Sequence, residues 1–134
     1  MKYPKIGILF MVFISVAVSA EGRNYSPQFL QCSKASLNAD SQANCITNEI
    51  VAQKKRLNIT YANLLKKLPP EDRIYLDKIQ HEWIAWRDDN YNFLAEHVSG
   101  SFVTTRATSL DFLLRSVFDR ANELEVISNE MGSN

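Results

Sequence analysis

Residues 80–88 read QHEWIAWRD and bring two tryptophans, a glutamine and an arginine–aspartate pair into about two and a half turns of a helix. On an α-helix, Gln80, Trp83 and Arg87 succeed one another at spacings of three and four, so they share one face, with Trp86 on its flank. Indole and guanidinium groups rarely stand so close on a fully solvated helix. The stretch therefore predicts a partly buried polar centre, which is either a structural clamp or a recognition surface.

Apolar residues at spacings of three, four and seven predict one helix through this stretch and one on each side of it. The first helix starts near a cap at Asn38 or Asp40 and runs to about Lys67, where two prolines follow. The second starts at Pro70. The third carries its apolar stripe from residue 103 to residue 124, ahead of a polar tail.

The segment Ser99, Gly100 and Ser101 separates the second and third helices, and its glycine suits a left-handed C-terminal cap. No run alternates with the period of two that a half-buried strand needs. The expected fold is therefore an all-α, three-helix antiparallel hairpin bundle. We expect an irregular or briefly helical N-terminal arm to precede it.

An export signal is predicted at the start of the chain. Lys2 and Lys5 precede an apolar run at residues 6–18, and the small residues ending at Ala20 suit signal peptidase. The run is shorter than the roughly 20 residues that span a bilayer, which disfavours the alternative of an uncleaved anchor. We expect a signal peptide over residues 1–20 and a single domain over residues 21–134, periplasmic or secreted, with no membrane span after cleavage.

Cys32 and Cys45 are the two cysteines of the chain. In an exported protein, an even pair separated by a short polar segment predicts a disulfide, here tying the N-terminal arm to the first long helix. The alternative, two free thiols with a redox role, lacks the C-x-x-C spacing that such chemistry favours.

Charge argues against a nucleic-acid partner. The chain has 15 basic and 15 acidic residues, and loss of Lys2 and Lys5 with the signal leaves a net charge of −2. A nucleic-acid binder needs a basic surface instead. Mild acidity suits a cationic protein partner.

Catalytic and metal-binding patterns are incomplete. His81 begins an H-E-x-x-H zinc motif whose second histidine is replaced by Ala85, and His97 is more than four turns away. Asp88 and Asp89 are adjacent on a helix, so they point about 100° apart and do not flank one bond. No nucleophile motif or phosphate-binding glycine loop is present. We expect no metal, no cofactor and no enzyme activity.

Four aromatic residues of the second helix are expected to face a core rather than a ligand: Trp83, Trp86, Tyr91 and Phe93. Arg87 then needs either to reach outward or to pair with a carboxylate, and Glu49 on the first helix is a candidate partner.

An ordered set of residues runs through these helices: Cys32, Cys45, Glu49, Leu57, Asn58, Tyr61, Gln80, Trp83, Arg87, Asp88, Arg120 and Leu124. The set resembles the LprI-type lysozyme-inhibitor family, whose members read roughly C, C-x3-E, L-N-x2-Y, Q-x2-W-x3-R-D and R-x3-L. The resemblance spans nearly the whole mature chain. With the helices placed, Gln80, Trp83 and Arg87 lie on the face expected to meet four polar residues of the other two helices: Glu49, Asn58, Tyr61 and Arg120. We therefore interpret residues 80–88 as a polar clamp of the bundle.

Three positions depart from the family pattern. Tyr91 and Phe112 stand where relatives carry a second cysteine pair, and Lys54 replaces an acidic residue. Joint loss of the second pair supports bonding between Cys32 and Cys45, and it leaves the joint between the second and third predicted helices to packing alone.

The resemblance implies an exported, non-catalytic protein that binds a lysozyme-like glycosidase and inhibits it by occlusion. The turn formed by Ser99, Gly100 and Ser101 is the candidate binding segment, since a small loop can enter a cleft. The alternative for the turn is an ordinary cap and connection. The alternative for the function is an envelope interaction or structural module with another protein partner.

Overall fold

A computed structural model describes residues 22–132, which form four α-helices and no strand. The predicted signal peptide lies outside the described residues. The all-α class is confirmed, but the count of three helices is wrong by one. Part of the arm, which was expected to be irregular or briefly helical, forms a short helix of nine residues. The helices are α1 (Pro27–Ala35), α2 (Ala39–Lys67), α3 (Pro70–Glu96) and α4 (Phe102–Glu130).

The short helix α1 forms because its start is strongly capped. Ser26 accepts a hydrogen bond from the Phe29 backbone N–H at 3.1 Å, and Pro27 occupies the first turn, where its missing N–H costs nothing. The predicted disulfide between Cys32 and Cys45 is present, with the two Cα atoms 5.6 Å apart. It joins α1 to α2, as expected.

The ends of the long helices follow local sequence signals, with one exception. Asn38 caps α2 through a reciprocal pair of hydrogen bonds with Ser41, and Leu68 ends it before the two prolines. The left-handed cap expected at Gly100 is wrong: α3 ends through His97 in right-handed geometry. Among the described residues, positive φ occurs at Gly132.

Helix α4 lies between the other two long helices. It packs along α2, and the ion pairs Arg106–Asp40 and Arg56–Glu125 show that these two helices run parallel. The apolar core is built mostly from this seam and comprises two clusters: Leu57, Leu64, Val117, Ala121 and Leu124, and then Ile46, Ile50 and Leu114. No helix in the described part of the chain is long and apolar enough to cross a membrane.

Helix α3 packs antiparallel to α4 over a narrower stripe and makes little contact with α2. Gln80 is the only fully buried residue of this helix. Trp83 is half-buried against the core, but Trp86 is 53% exposed and Phe93 is exposed as well. The expectation that these aromatics face a core is therefore wrong for Trp86 and Phe93, because α2 already covers most of the apolar surface of α4.

Candidate functional site

A polar clamp joins α3 to α4 among the residues of the family-type motif set. Arg120, only 9% exposed, donates from Nε to Gln80 Oε1 at 2.9 Å and from Nη1 to Glu123 Oε2 at 3.0 Å. Its Nη2 is buried and has no hydrogen-bond partner. The predicted contact between Gln80 and Arg120 is therefore confirmed. The Nη2 group of Arg120 remains a buried donor without an acceptor.

Trp83 is the aromatic centre of this clamp. The guanidinium carbons of Arg87 and Arg120 lie 5.0 and 5.9 Å from the centroid of its ring, both within cation–π range. Arg87 donates from Nε to Asp88 at 2.8 Å. The expected pairing of Arg87 with Glu49 is wrong, because the neighbouring carboxylate and the indole face already satisfy Arg87.

Glu49 instead anchors the start of α1. Its buried carboxylate accepts hydrogen bonds from the Ser26 N–H at 2.9 Å, the Ser26 hydroxyl, and Gln53 Nε2 at 2.8 Å. Burial alone would raise the pKa of Glu49, but these hydrogen bonds stabilise the charged form and hold the pKa below its ordinary value. This residue is a structural dock for the N-terminal segment.

The remaining motif residues of α2 separate into core and surface. Leu57 is buried in the core, as Leu124 of α4 is. Tyr61 donates to Asp77 of α3 at 2.8 Å, and burial together with this carboxylate raises the pKa of Tyr61 to about 12. Asn58 is exposed, so its expected place in the clamp is wrong.

Sequence reasoning missed a second polar network, on the seam between α2 and α4. Arg56 donates to both carboxylate oxygens of Glu125 at 2.7 Å, to Gln53 and to Asn122. Its guanidinium also lies 5.1 Å from the centroid of Phe118. The sequence feature that could have indicated this network is the position of Arg56, one residue before Leu57 and on the edge of the apolar stripe of α2.

The turn between α3 and α4 is exposed throughout residues 97–103, which we call the tip. Ser101 caps α4 by accepting from the Thr104 N–H at 3.3 Å, so part of the turn is an ordinary cap. The tip also carries three exposed apolar side chains, Val98, Val103 and Phe102, and the last is 80% exposed. The exposure of Phe102 was not predicted. The feature that could have indicated it is that Phe102 lies outside the apolar stripe of α4.

A hollow of about 390 Å³ opens beside the clamp, between α3 and α4. Trp86 and Phe112 meet at its wall with ring centroids 5.7 Å apart. Its full lining is Arg23, Trp83, Trp86, Phe112, Arg115, Ser116, Asp119, Arg120 and Glu123. In residues 22–132, the hollow included, no three histidine, cysteine or acidic side chains converge as metal ligands would.

Comparison with known protein families finds a match for this chain. The family model described as "Lysozyme inhibitor LprI" matches residues 32–124, from the first disulfide cysteine to the leucine that closes the motif set. No curated protein and no solved structure gives a significant match.

Proposed function

This chain belongs to the LprI lysozyme-inhibitor family, and from that premise we propose that it is an exported, non-catalytic protein that inhibits a lysozyme-like glycosidase by occlusion. The tip at residues 97–103 is the proposed inhibitory segment. It would enter the substrate cleft and exclude the glycan without being cleaved.

The exposure of Phe102 carries this proposal. Phe102 is 80% exposed, and Val98 and Val103 are exposed on the same turn, so apolar side chains face solvent at one end of α3 and α4. Ligand clefts of enzymes are concave and mostly apolar, with a few polar groups that fix orientation. The tip therefore has the polarity that complements such a cleft.

Two further features suit a glycosidase partner. A glycosidase cleft typically places two carboxyl groups beside the scissile bond, and Ser99 lies on the exposed turn with a hydroxyl that could donate to one of them. The hydroxyl of Ser101 caps α4 and would have to leave that cap to do the same. The net charge of −2 expected after signal removal would favour encounter with a cationic lysozyme.

The experiment is an inhibition assay with residues 21–134 against chicken-, goose- and invertebrate-type lysozymes at micromolar concentration. We expect at least one enzyme to be inhibited, and we expect Phe102→Ser to weaken inhibition about tenfold or more, as loss of an interface anchor does. Ile74→Ser is the matched control, because Ile74 is 74% exposed at the other end of α3.

Two results would contradict the proposal. Absence of inhibition for all three enzymes would reject the inhibitor function. Equal losses for the Phe102 and Ile74 variants would reject the tip as the inhibitory segment. Substitutions of Ser99 and Ser101 then test the polar contacts. Ser101→Asp is the control for helix capping, because aspartate keeps an N-cap acceptor for the Thr104 N–H but removes the hydroxyl donor.

A second candidate, an envelope interaction module with another protein partner, is favoured by the outer face of α2. Val51 and Ile59 are both exposed there and line a shallow hollow with Lys54 and Lys55. Val51→Ser should abolish binding to such a partner and leave lysozyme inhibition unchanged. If the tip variant alone abolishes all binding, this candidate is rejected.

A further inference from the structure

The hollow between α3 and α4 has no role in the proposed contact between the tip and a glycosidase. Trp86 precedes the end of α3 at Glu96 by ten residues, which is about 15 Å along the helix axis. The hollow also holds both tryptophans of the chain, Trp83 and Trp86. Its volume of about 390 Å³ lies within the usual range of small-molecule sites, roughly 300–1,000 Å³.

The floor of the hollow contains a guanidinium whose hydrogen bonding is incomplete. Arg120 uses Nε for Gln80 and Nη1 for Glu123, and Nη2 has no partner. A buried polar group without a partner is unfavourable, and such groups in native proteins call for an explanation. The edge formed by Nη1 and Nη2 is the one that a carboxylate can take with two parallel hydrogen bonds.

Glu123 occupies only half of this edge. Its own side chain is 59% exposed, and its single contact to Arg120 is 3.0 Å long. An exposed carboxylate held by one hydrogen bond is displaced at small cost, because water solvates it readily. A ligand carboxylate that replaces Glu123 would satisfy both Nη1 and Nη2.

The side chains in the wall of the hollow indicate which kind of ligand would carry this carboxylate. Trp86 and Phe112 offer aromatic faces tilted by 55° to each other, and Trp86 is half-exposed. Ser116 and Asp119 line the same hollow, where the Ser116 hydroxyl donates to the Phe112 carbonyl and Asp119 accepts from Arg23. The remaining lone pairs of both groups can accept hydrogen bonds from ligand hydroxyls. A ring with one apolar face and several hydroxyls fits both surfaces, whereas a purely apolar ring would leave the polar side unused.

Arg120 is the arginine of the lining whose pairing is incomplete. Arg23 already pairs with Asp119 and Arg115 with Asp111, whereas Arg120 is held by the exposed carboxylate of Glu123 through one hydrogen bond. Opening the contact to Glu123 would increase the cationic character at Arg120 further, so an incoming carboxylate would be attracted.

We propose that this hollow binds a sugar acid, with its carboxylate on Nη1 and Nη2 of Arg120 and its ring against Trp86 and Phe112. The competing account is purely structural: the Trp83 ring lies 5.9 Å from the guanidinium carbon, and that contact could be all that Arg120 needs. The two accounts differ in whether a free carboxylated sugar binds.

The test is a titration of residues 21–134 with two matched pairs, glucuronate against glucose and N-acetylmuramic acid against N-acetylglucosamine. Tryptophan fluorescence is the readout, because both tryptophans line the hollow. We expect saturable changes with the two acids and none with the neutral sugars. Benzoate is a further arm: binding of benzoate without either sugar acid would overturn the sugar assignment.

Variants locate the site. Trp86→Leu should weaken acid binding at least fivefold, measured by calorimetry because the variant removes a reporter. Glu123→Gln should strengthen it severalfold by removing the competing charge, and Arg120→Lys should abolish it. If Arg120→Lys does not fold, the other two variants decide. Ile74→Ala is the control.

Failure of both sugar acids to bind the unmodified protein would overturn the proposal, whatever the outcome of the lysozyme assay.

Discussion

The two sides of α4 are built on different physical principles. Toward α2, the seam is closed and mostly apolar, with the Arg56 network at its edge. Leu64, Val117 and Leu124 are completely inaccessible to solvent there. Toward α3, the seam is narrow and polar, and Gln80 is the one fully buried residue that α3 contributes. Burial of apolar area is the main source of folding stability, so the α2 side should dominate the stability of the bundle.

The difference assigns separate roles to the two seams. The α2 side stabilises the bundle, which allows the α3 side to keep a hollow, an unsatisfied guanidinium and an exposed tip. The resemblance to the LprI-type pattern implied that the joint between α3 and α4 relies on packing where relatives carry a second cysteine pair. Phe112, at one of those places, indeed packs on Trp86, while Tyr91 is half-buried.

The largest expected effect is in the closed seam. Leu124→Ala should lower the free energy of unfolding by roughly 2–5 kcal/mol, because it leaves a cavity in a site with no access to solvent. Leu76→Ala on α3 is the matched control and should cost clearly less, since Leu76 is only half-buried. Chemical denaturation measures both. Equal losses would contradict the separation between the seams.

An intermediate effect is expected in the polar clamp. Arg87→Ala removes the stacking on Trp83 and the contact with Asp88, and it should lower the free energy of unfolding by about 1–2 kcal/mol. Arg115→Ala is the control, because its exposed pairing with Asp111 is worth about 0.5 kcal/mol or less. Arg87→Ala should lower the melting temperature without weakening the binding of a partner by the folded protein. A variant with unchanged melting and lost binding would make Arg87 a recognition residue.

The smallest expected effect is the pH dependence of stability contributed by Glu49, which anchors the start of α1. The pKa of Glu49 is lowered in the folded protein, so its contribution to stability is complete above the ordinary value of 4.5 and is lost as the pH falls through the folded value. Glu49→Gln should therefore flatten the decrease of stability below pH 4.5. Denaturation curves of both proteins across this range measure it, and identical pH profiles would show that Glu49 does not contribute.

Local signals in the sequence predicted much of the fold. The cap at Asn38, the proline stop after Lys67 and the disulfide between Cys32 and Cys45 are confirmed, because each depends on residues close together in the chain. A brief helix in the N-terminal arm was one of two expectations. Its start was not located, although Ser26 followed by proline is a helix-start signal.

The partners of polar residues could not be predicted as well. Glu49 and Arg87 are a plausible pair by charge, but which helix faces which depends on packing that periodicity does not encode. Periodicity also placed Trp86 in the core, since it shows that a helix has an apolar face but not whether a neighbour covers it. The hollow follows from the narrow contact of α3, which no local pattern reveals.

The most direct measurement is hydrogen exchange of the backbone amides, recorded with and without an excess of chicken-, goose- or invertebrate-type lysozyme. Without the enzyme, amides of residues 84–96 in α3 should exchange faster than those of residues 43–64 in α2, because few buried contacts hold them. With at least one enzyme, residues 97–103 and the adjoining turns of α3 and α4 should become protected. Protection confined to the outer face of α2, or no protection with any of the three enzymes, would contradict the account.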